Sequence, residues 1–233
     1  MTNKKLKIEL LPAILENDFK KVEKKMSLVK ALVKFVQVDI CDGNFVPSKT
    51  IISSANKKSF QKLKKIADEN KLKIELDMMV DFDKKFQAWL EGFEILEAKR
   101  IIFHLGSTQR WDEIFDFIKK SKILKKAEIG LGVQIKHQCK KDILAVFEKY
   151  PFDYVQFMGI EKIGYGGQEL SPKVFRKIKK FRKLKEEIPI SVDGGVKIFN
   201  AEKLKEVGAT RLVSGSGFFG AENLKERLKE FLK

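Results

Sequence analysis

Eight short apolar runs, each followed by a lysine-rich amphipathic segment, predict a single-domain (β/α)8 TIM barrel for this 233-residue chain. Two further observations support that architecture. No Pro-, Gly- or Ser-rich tract divides residues 1–233, so one domain is expected. Polar residues and glycines gather where the runs end, the face that carries reacting groups in barrels of this kind. The same alternation also admits an open doubly wound sheet as the second choice.

The first run, Lys7 to Leu15, leads into a helical pattern from Phe19 to Leu32. The second run, Lys34 to Ile40, belongs to the stretch FVQVDICDGNF over 35–45. In an extended strand, Phe35, Gln37, Asp39 and Cys41 share one face, while Val36, Val38 and Ile40 share the other. The apolar face suits packing against helices. The opposite face carries a carboxylate into a buried strand, and such a charge is costly without a partner or a task.

A helix follows from Ser59 to Glu69. The third run, Lys73 to Val80, places Glu75 and Asp77 on one face and precedes a helix from Phe82 to Leu96. The fourth, Arg100 to Leu105, offers His104 before a helix from Arg110 to Lys120. The fifth, Ile129 to Ile135, precedes a helix from Lys140 to Tyr150. The sixth, Asp153 to Gly159, leads into Gly164, Tyr165, Gly166, Gly167 and Gln168, then a helix from Pro172 to Glu187. The seventh, Pro189 to Gly195, carries Ser191 and Asp193 and ends in two glycines before a helix from Phe199 to Val207. The eighth, Thr210 to Ser216, gives Ser214, Gly215, Ser216 and Gly217. The closing helix, Ala221 to Leu232, repeats Leu224, Leu228 and Leu232 at helical spacing.

Asp39, Asp77 and Asp193 fall near the ends of three different runs, so a barrel would bring them to one mouth. Three glycine groups in the last third of the chain let backbone N–H groups approach an anion, and a phosphate site from the loops after strands seven and eight is expected. Each aspartate also has a plainer reading, a carboxylate satisfied by backbone N–H groups at a strand end. Asp77 is a ligand, a substrate contact or the partner of a nearby lysine; Gln37 either hydrogen-bonds Asp39 or binds metal. His104 reads as a packed, hydrogen-bonded core residue, and His137 as a loop residue. Trp111, Phe115, Phe117, Phe218 and Phe219 read as packing.

The formal charge of +16 comes from lysines spread through every segment, which favours solvated helix faces over a nucleic-acid surface and still attracts small anions. Cys41 and Cys139 lack metal-ligand spacing and cannot frame a disulfide scaffold, so a reducing cytosol fits. Glu9 and Pro12 interrupt the apolar run near the N-terminus, and no segment approaches membrane-spanning length. A cytoplasmic protein without membrane partners is expected, and association into a homo-oligomer stays open.

LLPAIL in the first run, VDICDGNFVPS after the second, ELDMMV in the third, GYGGQ after the sixth, VDGG in the seventh and SGSGFFG in the eighth together resemble the ribulose-phosphate 3-epimerase family. The similarity covers essentially the whole chain. It implies a barrel that interconverts ribulose 5-phosphate and xylulose 5-phosphate by moving the C3 proton, with a phosphorylated ketose sugar as its small-molecule partner. Carried over by motif position, Asp39 and Asp193 are the acid and base. Gly166, Gly167, Gly194, Gly195, Gly215 and Ser216 become the phosphate-binding positions. The family's metal site maps onto Gln37, Asp39, Asp77 and Asp193, for magnesium, manganese, iron or zinc.

The chain departs from the family pattern at four positions. Gln37 and Asp77 stand where the pattern has histidines, Ala13 replaces a serine that contacts substrate, and Cys41 replaces the methionine before the DG pair. Three aspartates with one amide overcompensate a divalent ion by one charge and favour hard ions such as magnesium or manganese. If no metal binds, mutual repulsion should leave at least one carboxyl protonated near neutrality. The expected activity is a sugar-phosphate epimerase. Two alternatives stay open: a phosphosugar-binding homologue with impaired or no turnover, and a related ketose-phosphate isomerase or epimerase with another substrate. Barrels that need a lysine between two acids after a strand fit less well, since VDICDG offers none.

Overall fold

Eight parallel strands close on themselves in chain order, each paired with the next and the eighth with the first. The computed structural model describes residues 8–233; Lys7, the start of the first predicted run, lies outside them. The strands are β1 (Glu9–Ile14), β2 (Phe35–Cys41), β3 (Lys73–Met79), β4 (Arg100–His104), β5 (Glu128–Val133), β6 (Tyr154–Met158), β7 (Ile190–Asp193) and β8 (Arg211–Ser214). Every predicted run overlaps one of them, with β2 extending one residue past its run to Cys41 and β5 starting one residue early at Glu128, and closure excludes the open sheet.

Strand alternation sorts the side chains as the residue pattern requires. Val36, Val38 and Ile40 face the helices and join the large apolar core between barrel and helix ring. Phe35, Leu11, Ala13 and Val213 form a smaller apolar cluster of their own, and polar groups share the barrel faces of the strands with them. Near the base, Arg100 bonds Glu9 at 3.0 Å and Glu128 at 3.3 Å and lies 3.7 Å from Glu75, while Arg211 pairs with Glu128. Tyr154 Oη donates to Glu75 at 3.1 Å. Higher up, Ser191 Oγ donates to Gln156 Oε1 at 2.9 Å.

The helices are α1 (Phe19–Val29), α2 (Lys57–Glu69), α3 (Phe86–Leu96), α4 (Trp111–Lys120), α5 (Ala145–Phe147), α6 (Lys173–Arg182), α7 (Ile198–Glu206), α8 (Ser216–Phe219) and α9 (Leu224–Leu232). Several differ from the sequence expectation for identifiable reasons. The predicted helix from Phe82 begins instead with a 3₁₀ turn over Phe82–Lys85. Asp83 is drawn there to Thr108 Oγ1 and the Gln109 N–H, and the Phe82 N–H to the Ser107 carbonyl. Lys140 to Tyr150 opens as a wide π-helical turn, Cys139–Leu144, because the Asp142 carboxylate caps the Gln138 N–H and Ile143 N–H bonds the Gln138 carbonyl.

α6 stops at Arg182 rather than Glu187. The Arg182 guanidinium takes the carbonyls of Glu186, Ile188 and Gly208, and Pro189 follows. α9 starts at Leu224 because Asn223 accepts from the N–H groups of Lys225 and Glu226. The four-residue α8 has no counterpart in the sequence reading. Among the described residues, no helix is long and apolar enough to cross a membrane.

Candidate active site

The C-terminal ends of four strands converge on one buried polar layer. Register sets Asp39 beside Asp77 and Gln37 beside Glu75 on β2 and β3, while β7 contributes Asp193. The Gln37 amide nitrogen donates to Asp39 Oδ1 at 2.8 Å and to Asp193 Oδ2 at 3.0 Å. One side chain therefore ties together two carboxylates that lie 154 positions apart in sequence, and the hydrogen bond expected from Gln37 to Asp39 is present.

Among the described residues, Asp77 pairs with no lysine. Its Oδ1 lies 2.6 Å from His104 Nε2, both side chains completely buried. His104 has room because its register partner on β5 is Gly132, where a Cβ would stand 2.9 Å from the imidazole ring. A histidine from β4 thus backs the aspartate that stands on β3 where the family pattern has a histidine. Sequence reasoning could not pair them, since a neighbouring-strand partner follows from register and not from spacing.

Oxygens of Asp39, Asp77 and Asp193 all lie within 4.8 Å of one another. Burial, and then the negative charges of Asp193 and Asp77, raise the Asp39 carboxyl well above its ordinary range. Asp193 is likewise pushed up to about 7 by burial and by Asp77, opposed by the Gln37 amide and the Gly194 N–H. Among the described residues, Gln37 Oε1, Asp77 Oδ2 and His104 Nδ1 are buried without hydrogen-bond partners. An unsatisfied buried polar atom costs about 1–3 kcal/mol. A hard divalent cation fits this donor set, because carboxylate and amide oxygens suit it and two of the three orphaned atoms are such oxygens.

A cavity of about 380 Å³ borders this layer and is lined by Asp39 and Asp193. Gly166, Gly167, Gly194, Gly195, Gly215 and Ser216 all line the same cavity, so the two predicted sets meet in one space. Gln37 and Asp77 do not border it; they stand behind the two aspartates with no exposure. The glycine at 195 is dictated by geometry: its φ is +73°, and a Cβ there would stand 2.4 Å from the Leu170 nitrogen. Ala13 presents a methyl group to the cavity where the family pattern has a hydroxyl.

The cavity also takes residues that sequence reasoning missed. Met79 and Met158 end β3 and β6 and form an apolar wall with Ile160. Their strand-end positions were a usable signal. Lys25 of α1 and Lys197 before α7 are the lining cations, and among 48 Lys and Arg residues neither carried any mark in the sequence.

A family model described as the ribulose-phosphate 3 epimerase family matches residues 9–219. The chain is 28% identical over 223 residues to the ribulose-phosphate 3-epimerase of Eremothecium gossypii, covering 93% of this chain and 88% of that protein. It is 26% identical over 216 residues to a cytoplasmic isoform of ribulose-phosphate 3-epimerase from Oryza sativa subsp. japonica, with 91% and 88% covered. Among solved structures, it resembles a 3-hexulose-6-phosphate synthase from Salmonella typhimurium, with TM-score 0.67 at 12% identity and 97% of each chain covered. It also resembles orotidine 5'-phosphate decarboxylase from Pyrococcus horikoshii OT3, with TM-score 0.63 at 17% identity and 96% and 97% covered. At such identities these two structures speak to the fold alone.

Proposed function

Because this chain belongs to the ribulose-phosphate 3-epimerase family, we propose that it inverts carbon 3 of a phosphorylated ketose, converting ribulose 5-phosphate to xylulose 5-phosphate with Asp39 and Asp193 as acid and base. The observation that carries this reading is that both aspartates line the cavity shared by the six glycine and serine positions. Inversion needs one group to remove the C3 proton and another to return a proton to the opposite face. An ionised carboxylate takes the proton next to the C2 ketone, and a protonated carboxyl supplies the other.

Two raised carboxyls that share the Gln37 amide suit such a division, since burial and like charge disfavour ionising both at once. Each turnover exchanges their protonation states, so the reverse reaction uses the same pair with roles swapped. The glycine N–H groups hold the phosphate and keep C3 beside the aspartates. Asp39, Asp77 and Asp193, with Gln37, would hold a divalent cation, which when bound supplies Lewis-acid stabilisation of the negative charge on the enediolate oxygens.

The test is exchange of the ribulose 5-phosphate C3 proton in deuterated water, with magnesium, manganese, iron or zinc supplied. The wild type is expected to exchange it, and Asp39→Asn and Asp193→Asn each to lose about 10²- to 10⁴-fold in rate. A wild type inert with every metal would overturn the assignment. A second reading, a phosphosugar-binding protein without turnover, draws on the Gln37 amide that already engages both carboxylates. It predicts phosphosugar binding by calorimetry with no exchange. A related ketose phosphate as substrate would appear as faster exchange when other ketose phosphates are tried.

A further inference from the structure

The glycine cradle is electrically neutral, whereas a phosphate monoester carries about −1.5 to −2 at pH 7. Asp39 and Asp193, which line the same cavity, repel it as far as they are ionised. The cavity nevertheless contains a cation placed from outside the barrel. In α1, Val22, Met26 and Val29 are buried against the barrel, and Lys25 sits immediately beside that stripe. Its side chain is only 28% exposed, unlike a solvated lysine.

Lys25 Nζ lies 2.7 Å from Glu16 Oε1 and 5.0 Å from the centre of the Phe219 ring. Glu16 follows β1, and Phe219 is the last residue of α8, whose first residue is Ser216 in the cradle. The amine is therefore held beside the α8 wall of the phosphate end by a carboxylate on one side and a ring face on the other. We propose that Lys25 is a substrate-binding residue that exchanges its ion pair with Glu16 for the phosphate dianion of the ketose phosphate. The proposal rests on reading the cavity as a phosphosugar site and adds to it a charged residue that the backbone cradle does not supply.

The exchange is physically reasonable because a single ion pair that water still reaches is worth little, so Glu16 gives Lys25 up cheaply. A doubly charged phosphate in a partly desolvated cavity is the stronger partner. The pairing also orients substrate: a cation at the phosphate end and carboxylates at the reacting end fix which way the sugar lies. Salt should weaken binding, as it does any partly exposed charge pair.

The experiment is calorimetric titration of the full chain with inorganic phosphate at pH 7.5, alongside KM and kcat for ribulose 5-phosphate. Lys25→Met keeps the aliphatic stem and removes the charge. It is expected to weaken phosphate binding threefold or more and to raise KM by a similar factor, with a smaller change in kcat; Lys25→Arg should recover part of the loss. Glu16→Gln, which frees the amine, is expected to tighten phosphate binding. Phosphate binding to Lys25→Met within threefold of the wild type overturns the proposal, and so does a Glu16→Gln variant that binds phosphate no more tightly. A wild type that binds phosphate through Lys25 but exchanges no C3 proton removes the epimerase reading and leaves this one standing. An active enzyme indifferent to Lys25→Met does the reverse.

Discussion

Gln37 is the residue on which the chemistry of the layer turns. Its amide donates to Asp39 and Asp193 together, and a hydrogen bond to a charged group is worth about 1.5–3 kcal/mol. Gln37→Met keeps the volume and removes both donors, so kcat is expected to fall roughly 10- to 100-fold with the substrate's KM little changed. Steady-state kinetics check this, and an unchanged kcat would assign Gln37 to packing. Asp39 and Asp193 were legible because strand alternation makes a carboxylate on an otherwise buried face conspicuous. The Asp77–His104 contact was not, because it spans two strands and depends on a side chain being absent at position 132.

At the scale of elements, β5 shows how a strand serves a site while contributing no functional side chain. Gly132 leaves the space that the His104 imidazole fills, and ring atoms there cannot give way easily. Gly132→Ala forces a Cβ to within 2.9 Å of that ring, and such overpacking costs about 1–3 kcal/mol. The expected result is a lower urea midpoint with an unchanged slope, together with weakened turnover as His104 and Asp77 shift. All eight strand positions could be read from apolar runs bounded by turn residues. Helix ends were harder to place. The early stop of α6 comes from one guanidinium reaching several carbonyls, and the π-helical turn over Cys139–Leu144 from a single aspartate cap. Neither leaves a periodic signal. Lys25 was illegible for a related reason, since its helix shows only an ordinary charged face until the neighbouring α8 is in place.

Apart from the aspartate layer at its mouth, the molecule carries its charges in two settings, a solvated lysine-rich exterior and a buried ionic base. Glu75 in that base is completely buried, and desolvation raises its carboxyl to about 7 against the pull of Arg100 and Arg211. The fold therefore favours protonated Glu75. The stability it contributes is complete below an unfolded-state value near 4.5 and is lost as pH rises towards about 7, beyond which no more is lost. Glu75→Gln fixes the neutral form. Its advantage over the wild type is expected to grow from near zero at pH 4.5 to roughly 3 kcal/mol at pH 8. Denaturant midpoints measured at both pH values decide this, and an advantage independent of pH would refute the assigned titration.

Closure of the barrel also sets an order of events during synthesis. β1 bonds β2 on one side and β8 on the other, with the Glu9 N–H reaching the Thr210 carbonyl, so the first strand of the barrel to be made waits for the synthesis of the other seven before it meets its second neighbour. Until Arg211 emerges, Glu128 lacks one of its two guanidinium partners and the edges of β1 and β7 stay open. The loops after β7 and β8 arrive in that same last stretch. A nascent chain thus gains its seam together with Gly194, Gly195, Gly215 and Ser216 of the cavity wall, and a chain cut before Arg211 is expected to aggregate rather than persist as a partial barrel.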